Sequence, residues 1–296
     1  MDSNFKAGFV SFVGKPNVGK STLLNTILQE KVAIVSHKPQ TTREQLQGIY
    51  TDDKMQIVFL DTPGIHKHHN QLGKLMNRQA TNATKGTDII CLLAPSNEPI
   101  SVNEQHIIRI LKERQNTPIF LLLTKVDLVT KVELFNKINE WKDLLDFKEI
   151  IPISAVKKIN LNVLLKNIYD YLPVGGKFFE IDQKNSSTSE QITKEVIREK
   201  IIFLTRQEIP YSVAVIVESM ETSKNLLEIS AVIVVERDSQ KAILIGKKGE
   251  MIKNIGIQAR QELEKIFNIK IMLTLFVKVI DEWPNNPRSL RELGYF

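Results

Sequence analysis

The sequence predicts an α/β chain of two domains, a mostly parallel sheet covered by helices and then a smaller α+β domain. Three observations carry that prediction. From Ala7 to about Tyr171, short apolar runs alternate with amphipathic helical stretches, as a parallel sheet with helices on its faces requires. The stretch GKPNVGKS, Gly14–Ser21, lies between the first apolar run and a helix-like segment. From Pro173 to Ser189 the composition shifts to PVGGKFFEIDQKNSSTS, glycine-paired and serine-rich, which reads as a linker. The divisions that follow are 1–172, 173–189 and 190–296.

Taken in order, AGFVSFV is a buried strand and STLLNTILQE a helix. LQGIY and MQIVFLD, joined by TDDK, form a hairpin that sets one antiparallel edge strand on the sheet. DIICLLA, PIFLLLTK and EIIPIS are further parallel strands. Beyond the linker come a helix (EQITKEVIREKIIFLTRQ), two strands (YSVAVIVES, LEISAVIVVE) and a short helix (SQKAILIG). A longer helix (EMIKNIGIQARQELEKIFN) and a strand (IKIMLTLFVKVI) complete the second domain.

Composition limits what else the chain can do. With 296 residues and 42% apolar content, it can build two hydrophobic cores. No apolar run nears the roughly 20 residues of a membrane span, and Met1–Ala7 resembles no targeting peptide, so a cytosolic protein is expected. The single cysteine, Cys91, excludes an intrachain disulfide framework and, within an apolar strand, reads as a buried thiol. A net charge of +6 permits a polyanionic partner.

The chemistry concentrates in short motifs. In GKPNVGKS the backbone N–H groups of Gly14, Lys15, Pro16's neighbours, Asn17, Val18 and Gly19 can surround phosphate oxygens. Lys20 is the point charge and Ser21 the Mg²⁺ ligand of such a loop. In DTPG, Asp61 reaches Mg²⁺ through water from the end of its strand, Thr62 and Pro63 shape the turn, and Gly64 offers an N–H to the terminal phosphate. In TKVD, Thr124, Lys125, Val126 and Asp127, the carboxylate can accept from guanine N1–H and the N2 amino group together. Adenine offers no such pair, so the expected base is guanine.

GKPNVGKS, QTTRE, DTPG, TKVD and ISA, in this order, resemble the five nucleotide motifs of translation-factor-class GTPases, and PQTTR is similar to that of the Era-type branch. The resemblance implies a P-loop GTPase domain that converts GTP to GDP and phosphate. It places Gln40, Thr41, Thr42 and Arg43 in the first switch, with Thr42, or alternatively Thr41, closing on Mg²⁺. Ser154 and Ala155 would border the guanine, and Asn17 would help to hold K⁺. The family usually has asparagine where Thr124 stands, so some base affinity is expected to be lost while Asp127 preserves guanine specificity. Ile65 follows DTPG where a regulatory GTPase carries a water-orienting glutamine; slow intrinsic hydrolysis is expected, on the order of 10⁻³ s⁻¹ or below. The run His66–His69 reads as a solvated second-switch loop rather than a metal site, because adjacent loop histidines rarely converge on one ion.

In the second domain, ILIGKKGEMIKNIG puts a Gly-Lys-Lys-Gly turn between two helices. Gly246 and Gly249 would let a nucleic-acid backbone approach, with Lys247, Lys248 and Lys253 facing phosphates. Leu244, Ile245, Ile252 and Ile255 suit either the apolar floor of a groove or the core. The order helix, strand, strand, helix, turn, helix, strand resembles the type II KH RNA-binding module. A GTPase domain followed by a KH domain is the Era-type combination, and the likeness runs from about Gly8 into WPNNPRSLRELGYF. It implies binding to the 3′ end of 16S rRNA, with no DNA partner, and a part in 16S rRNA processing and small (30S) ribosomal subunit assembly. It also implies a cytoplasmic location with peripheral association at the inner face of the plasma membrane. An RNA-modifying GTPase would need a reactive cysteine or further catalytic domain. A membrane-surface switch anchored by Glu250–Asn268 would need an interfacial helix, but this one holds Glu262 and Glu264 and lacks tryptophan.

Overall fold

The computed structural model describes residues 4–34, 46–65, 70–114, 116–205, 209 and 213–295. They form two compact units; the second is made chiefly of the residues from Ser187 onward, and residues 70–75 group with it. The first contains β1 (Lys6–Val13), α1 (Lys20–Leu28), β2 (Leu46–Thr51), β3 (Met55–Asp61), α2 (Gln71–Asn82) from Met76 on, and β4 (Ile89–Pro95). It continues with α3 (Val102–Leu111), β5 (Ile119–Thr124), α4 (Lys131–Lys142), β6 (Glu149–Pro152) and α5 (Leu161–Tyr171).

The sheet runs β2-β3-β1-β4-β5-β6. Only β2 is antiparallel, paired with β3 from Leu46 opposite Asp61 to Thr51 opposite Gln56. Its position at the edge is the one read from the LQGIY hairpin. Strand alternation explains why the apolar runs are continuous: each supplies two cores. Ile89, Cys91 and Leu93 of β4 join α1 and α5 residues such as Leu23 and Leu164 on one face. Ile90, Leu92 and Ala94 meet α3 and α4 residues such as Ile107 and Trp141 on the other. Burial pushes the Cys91 thiol well above its usual range, so it is a packing group rather than a nucleophile. Because the chain fills β3 on one side of β1 and then crosses to β4 on the other, the loops leaving β1, β3 and β4 meet at one switch point.

Residues 173–186 lie along this unit. Ala7 N–H donates to Pro173 O at 3.1 Å, and Ile49 N–H donates to Lys184 O at 2.8 Å. Between those ends the fully buried Gln56 accepts from Phe178 N–H (2.6 Å) and Phe179 N–H (2.9 Å), and its amide donates to Phe179 O (2.9 Å).

The second unit contains α6 (Ser189–Leu204), β7 (Ala214–Ser223), β8 (Leu226–Val235), α7 (Asp238–Ile245), α8 (Glu250–Phe267), β9 (Lys270–Val279) and α9 (Pro287–Glu292). Its sheet is β7-β8-β9, with β7 antiparallel and β9 parallel to β8. Alternate residues of β8, among them Ile229, Ala231 and Ile233, pack against Ile197, Leu244, Ile255 and Leu263. Of the four residues suited to either groove or core, Leu244 and Ile255 are wholly in the core, whereas Ile245 and Ile252 are half-buried. The tail closes on itself, Trp283 stacking on Tyr295 with ring centroids 5.9 Å apart.

Candidate functional site

GKPNVGKS leaves the C-terminal end of β1 at the switch point and feeds directly into α1. Its glycines are required sterically. A Cβ at Gly14 would lie 2.7 Å from Leu93 O, and Gly19 caps α1 at φ +102°, a left-handed conformation that side chains resist. Asn17 is also left-handed, at φ 63°. The backbone therefore curls around a hollow, across which Lys20 Nζ donates to Lys15 O (3.1 Å) and Gly14 O (3.3 Å). Burial lowers the Lys20 ammonium to about 8, with the nearby Asp61 carboxylate opposing the shift. A phosphate in the hollow would supply further counter-charge.

Ser21 Oγ donates to Asp61 Oδ2 at 2.6 Å, so the two residues read as Mg²⁺ partners from the first and third motifs are in contact. A hydroxyl and a buried carboxylate are hard oxygen donors, a pair whose chemistry suits Mg²⁺. DTPG is laid against the phosphate loop. Thr62 Oγ1 donates to Phe12 O (2.7 Å), Ile65 N–H donates to Gly14 O (3.1 Å), and a Cβ at Gly64 would fall 2.6 Å from the Pro16 nitrogen. Pro63 is buried beside them, and the Ile65 side chain is 1% exposed, turned into the core with Val13 and Ala80.

TKVD leaves β5. Thr124 Oγ1 donates to Val18 O at 2.8 Å, with Ala94 O at 3.3 Å, so its one hydroxyl hydrogen is used to tie the base loop to the phosphate loop. Lys125 is left-handed (φ 58°) and opens a 3₁₀ turn, Val126–Leu128, on which Asp127 is exposed. Val126 N–H donates to Ile153 O (3.3 Å), joining this turn to the end of β6. There Ser154 is buried, its hydroxyl accepting from Lys157 N–H at 3.1 Å, and Ala155 is half-buried. Motifs up to 140 residues apart in sequence thus share one edge of the sheet. Gln40, Thr41, Thr42 and Arg43, and the run His66–His69, lie outside the described residues.

The second candidate surface is the turn between α7 and α8. Gly246 has φ 72° and ψ 176°, a region open essentially to glycine alone, and a Cβ there would lie 2.6 Å from Met251 Cβ. Gly249, at φ 80°, caps α8. Lys247, Lys248 and Lys253 are exposed around the helix N-terminus.

Residues 9–125 match the family model described as 50S ribosome-binding GTPase, and residues 208–284 match the KH domain model. A curated relative, GTPase Era of Syntrophus aciditrophicus (strain SB), is 46% identical, the match covering 98% of this chain and 95% of that one. GTPase Era of Leuconostoc citreum (strain KM20) is 44% identical over 99% and 98% of the two chains. The chain belongs to the Era family of GTPases. Two solved Era structures share its fold at a TM-score of 0.94 and 37% identity, covering 98% of this chain and 99% of theirs. One is an Aquifex aeolicus Era variant bound to GDP·AlF4⁻; the other is Era in complex with MgGDPNP and nucleotides 1506–1542 of 16S ribosomal RNA.

As an Era GTPase the chain hydrolyses GTP and pairs a P-loop GTPase domain with a KH domain. Three residues with structural roles carry no motif signal, two beside the phosphate loop and one at the start of β3. Glu98 and Glu104 pair with Lys15, and Gln56 holds the segment that leads out of the GTPase unit. Only their contacts reveal them, because each partner is remote in sequence.

Proposed function

We propose that the chain is a guanine-nucleotide switch that captures the 3′ end of 16S rRNA and assists 16S rRNA processing and assembly of the small (30S) ribosomal subunit in the cytoplasm. In this reading the phosphate loop and Lys20 hold the phosphates, Ser21 and Asp61 hold Mg²⁺ together with Thr42, and Asp127 reads guanine beside Ser154 and Ala155. K⁺ would sit near Asn17. Gly246 and Gly249 let single-stranded RNA approach, and Lys247, Lys248 and Lys253 meet its phosphates. GTP would order the switch and favour RNA capture; hydrolysis would release it.

The single observation that carries the RNA reading is the exposed lysine pair on a turn whose first glycine tolerates no side chain. Membrane anchoring through α8 is the weaker reading, because Ile255, Ala259 and Leu263 of that helix belong to the core of its own unit. No helix among the described residues is long and apolar enough to cross a membrane.

The test is binding of a fluorescent single-stranded RNA copying the 3′ end of 16S rRNA, with a GTP analogue and with GDP, at several salt concentrations. The parent should bind more tightly with the analogue. Lys247→Asp with Lys248→Asp should abolish tight binding, and replacing both by alanine should flatten the log–log salt slope by about 1.4, two single-strand phosphate contacts. RNA affinity indifferent to both nucleotide and turn would refute the proposal.

A further inference from the structure

We propose that Glu98 is a positioning residue for GTP binding, holding the phosphate loop and the base-recognition loop at a set separation. This rests on the assignment of Lys15 and Lys125 to the nucleotide site. Glu98 lies on the loop after β4, and β4 stands between β1, which delivers Lys15, and β5, which delivers Lys125. An acid on the middle loop can therefore reach both neighbours. Glu98 Oε2 is 2.7 Å from Lys15 Nζ, and its Oε1 is 3.5 Å from Lys125 Nζ.

The pairing extends one step further. Lys15, whose side chain is 13% exposed, also lies 3.5 Å from Glu104 Oε1, and Glu104 is 1% exposed. The other Glu104 oxygen is occupied by the cap of α3, accepting from Ser101 N–H at 2.7 Å and Ser101 Oγ at 2.9 Å. Charges thus alternate along Glu104, Lys15, Glu98 and Lys125, from a fixed helix N-terminus across the phosphate loop to the base loop. Burial of Glu98 works against its ionisation, yet Lys15 first and Lys125 after it hold the carboxyl below its usual range.

The arrangement has a reason in this sequence. Thr124 ties the base loop to the phosphate loop through a single hydroxyl hydrogen. Lys125 follows it in a left-handed conformation and sets the turn that carries Asp127. The Glu98 carboxylate adds a second tie between the two loops, made through side chains rather than through the strand ends. Its loss would leave the hydrolytic groups at Ser21 and Asp61 unchanged and let the base-reading turn drift.

The test uses the full chain and compares KM for GTP, kcat for phosphate release and the unfolding midpoint without nucleotide, in the parent, Glu98→Gln, Glu98→Asp, Lys125→Met and the double variant Glu98→Gln with Lys125→Met. Glu98→Gln is expected to raise KM about fivefold, the upper range for a partly exposed ion pair, with kcat and the midpoint unchanged. Glu98→Asp should recover part of the loss, and Glu98→Gln should add little on the Lys125→Met background. An unchanged KM, a fall in kcat instead, additive effects of the two substitutions, or a KM change that tracks a lowered midpoint would each overturn the inference. A parent that shows no saturable GTP binding would instead overturn the site assignment on which it rests.

Discussion

At the scale of the residue, Ile65 shows how a single side chain bears on rate. A glutamine after DTPG would orient the attacking water, but Ile65 is 1% exposed and packs with Val13 and Ala80. Intrinsic phosphate release should stay on the order of 10⁻³ s⁻¹ or below, and exchanging K⁺ for Na⁺ should slow it further if a potassium ion sits near Asn17. Ile65→Gln should not accelerate it. Burying an amide in that core should lower stability by about 1–3 kcal/mol instead, read as a drop in urea midpoint. A gain in rate with unchanged stability would show that the side chain can reach the phosphate. Thr124 teaches the complementary lesson: the departure from asparagine is visible in the sequence, whereas the tie its hydroxyl makes to Val18 O is a fact of the fold.

At the scale of the element, two short segments depend on conformations that their neighbours impose. Gly246 combines a glycine-only backbone with a Cβ clash against Met251, while Gly249 has open space and only a left-handed φ. Gly246→Ala should therefore weaken RNA binding and the stability of the second unit more than Gly249→Ala, whose cost is about 1 kcal/mol. Equal losses would contradict the steric argument, and GTP hydrolysis should be unaffected in both. The segment 173–186 has the composition of a flexible linker yet is held by Gln56, which satisfies three backbone groups of Phe178 and Phe179. Gln56→Leu should cost about 2–3 kcal/mol by leaving those groups unpaired, measured as a lower urea midpoint at unchanged slope. Polar, serine-rich composition cannot foretell this, because the partner lies in a strand more than a hundred residues earlier.

At the scale of the whole molecule, the two units have separate cores: one pair of layers built from Val10 to Leu172, another from Val196 to Ile271. Fragments 1–186 and 187–296 should each unfold cooperatively, and the first should retain GTP hydrolysis. A fragment without a sigmoidal transition would show that its core is incomplete. By itself the sequence determined the alternation of strands and helices and the antiparallel edge strand, and it pointed to five candidate nucleotide motifs, because periodicity, glycine punctuation and motif chemistry are local properties. It also marked the Gly-Lys-Lys-Gly turn. The tertiary structure alone decided that Leu244 and Ile255 belong to the core, that the serine-rich segment is tied down, and that Glu98 bridges two lysines. Each of those depends on which side chains meet across strands distant in the chain, and a one-dimensional pattern carries no information about such contacts until the sheet order brings them together.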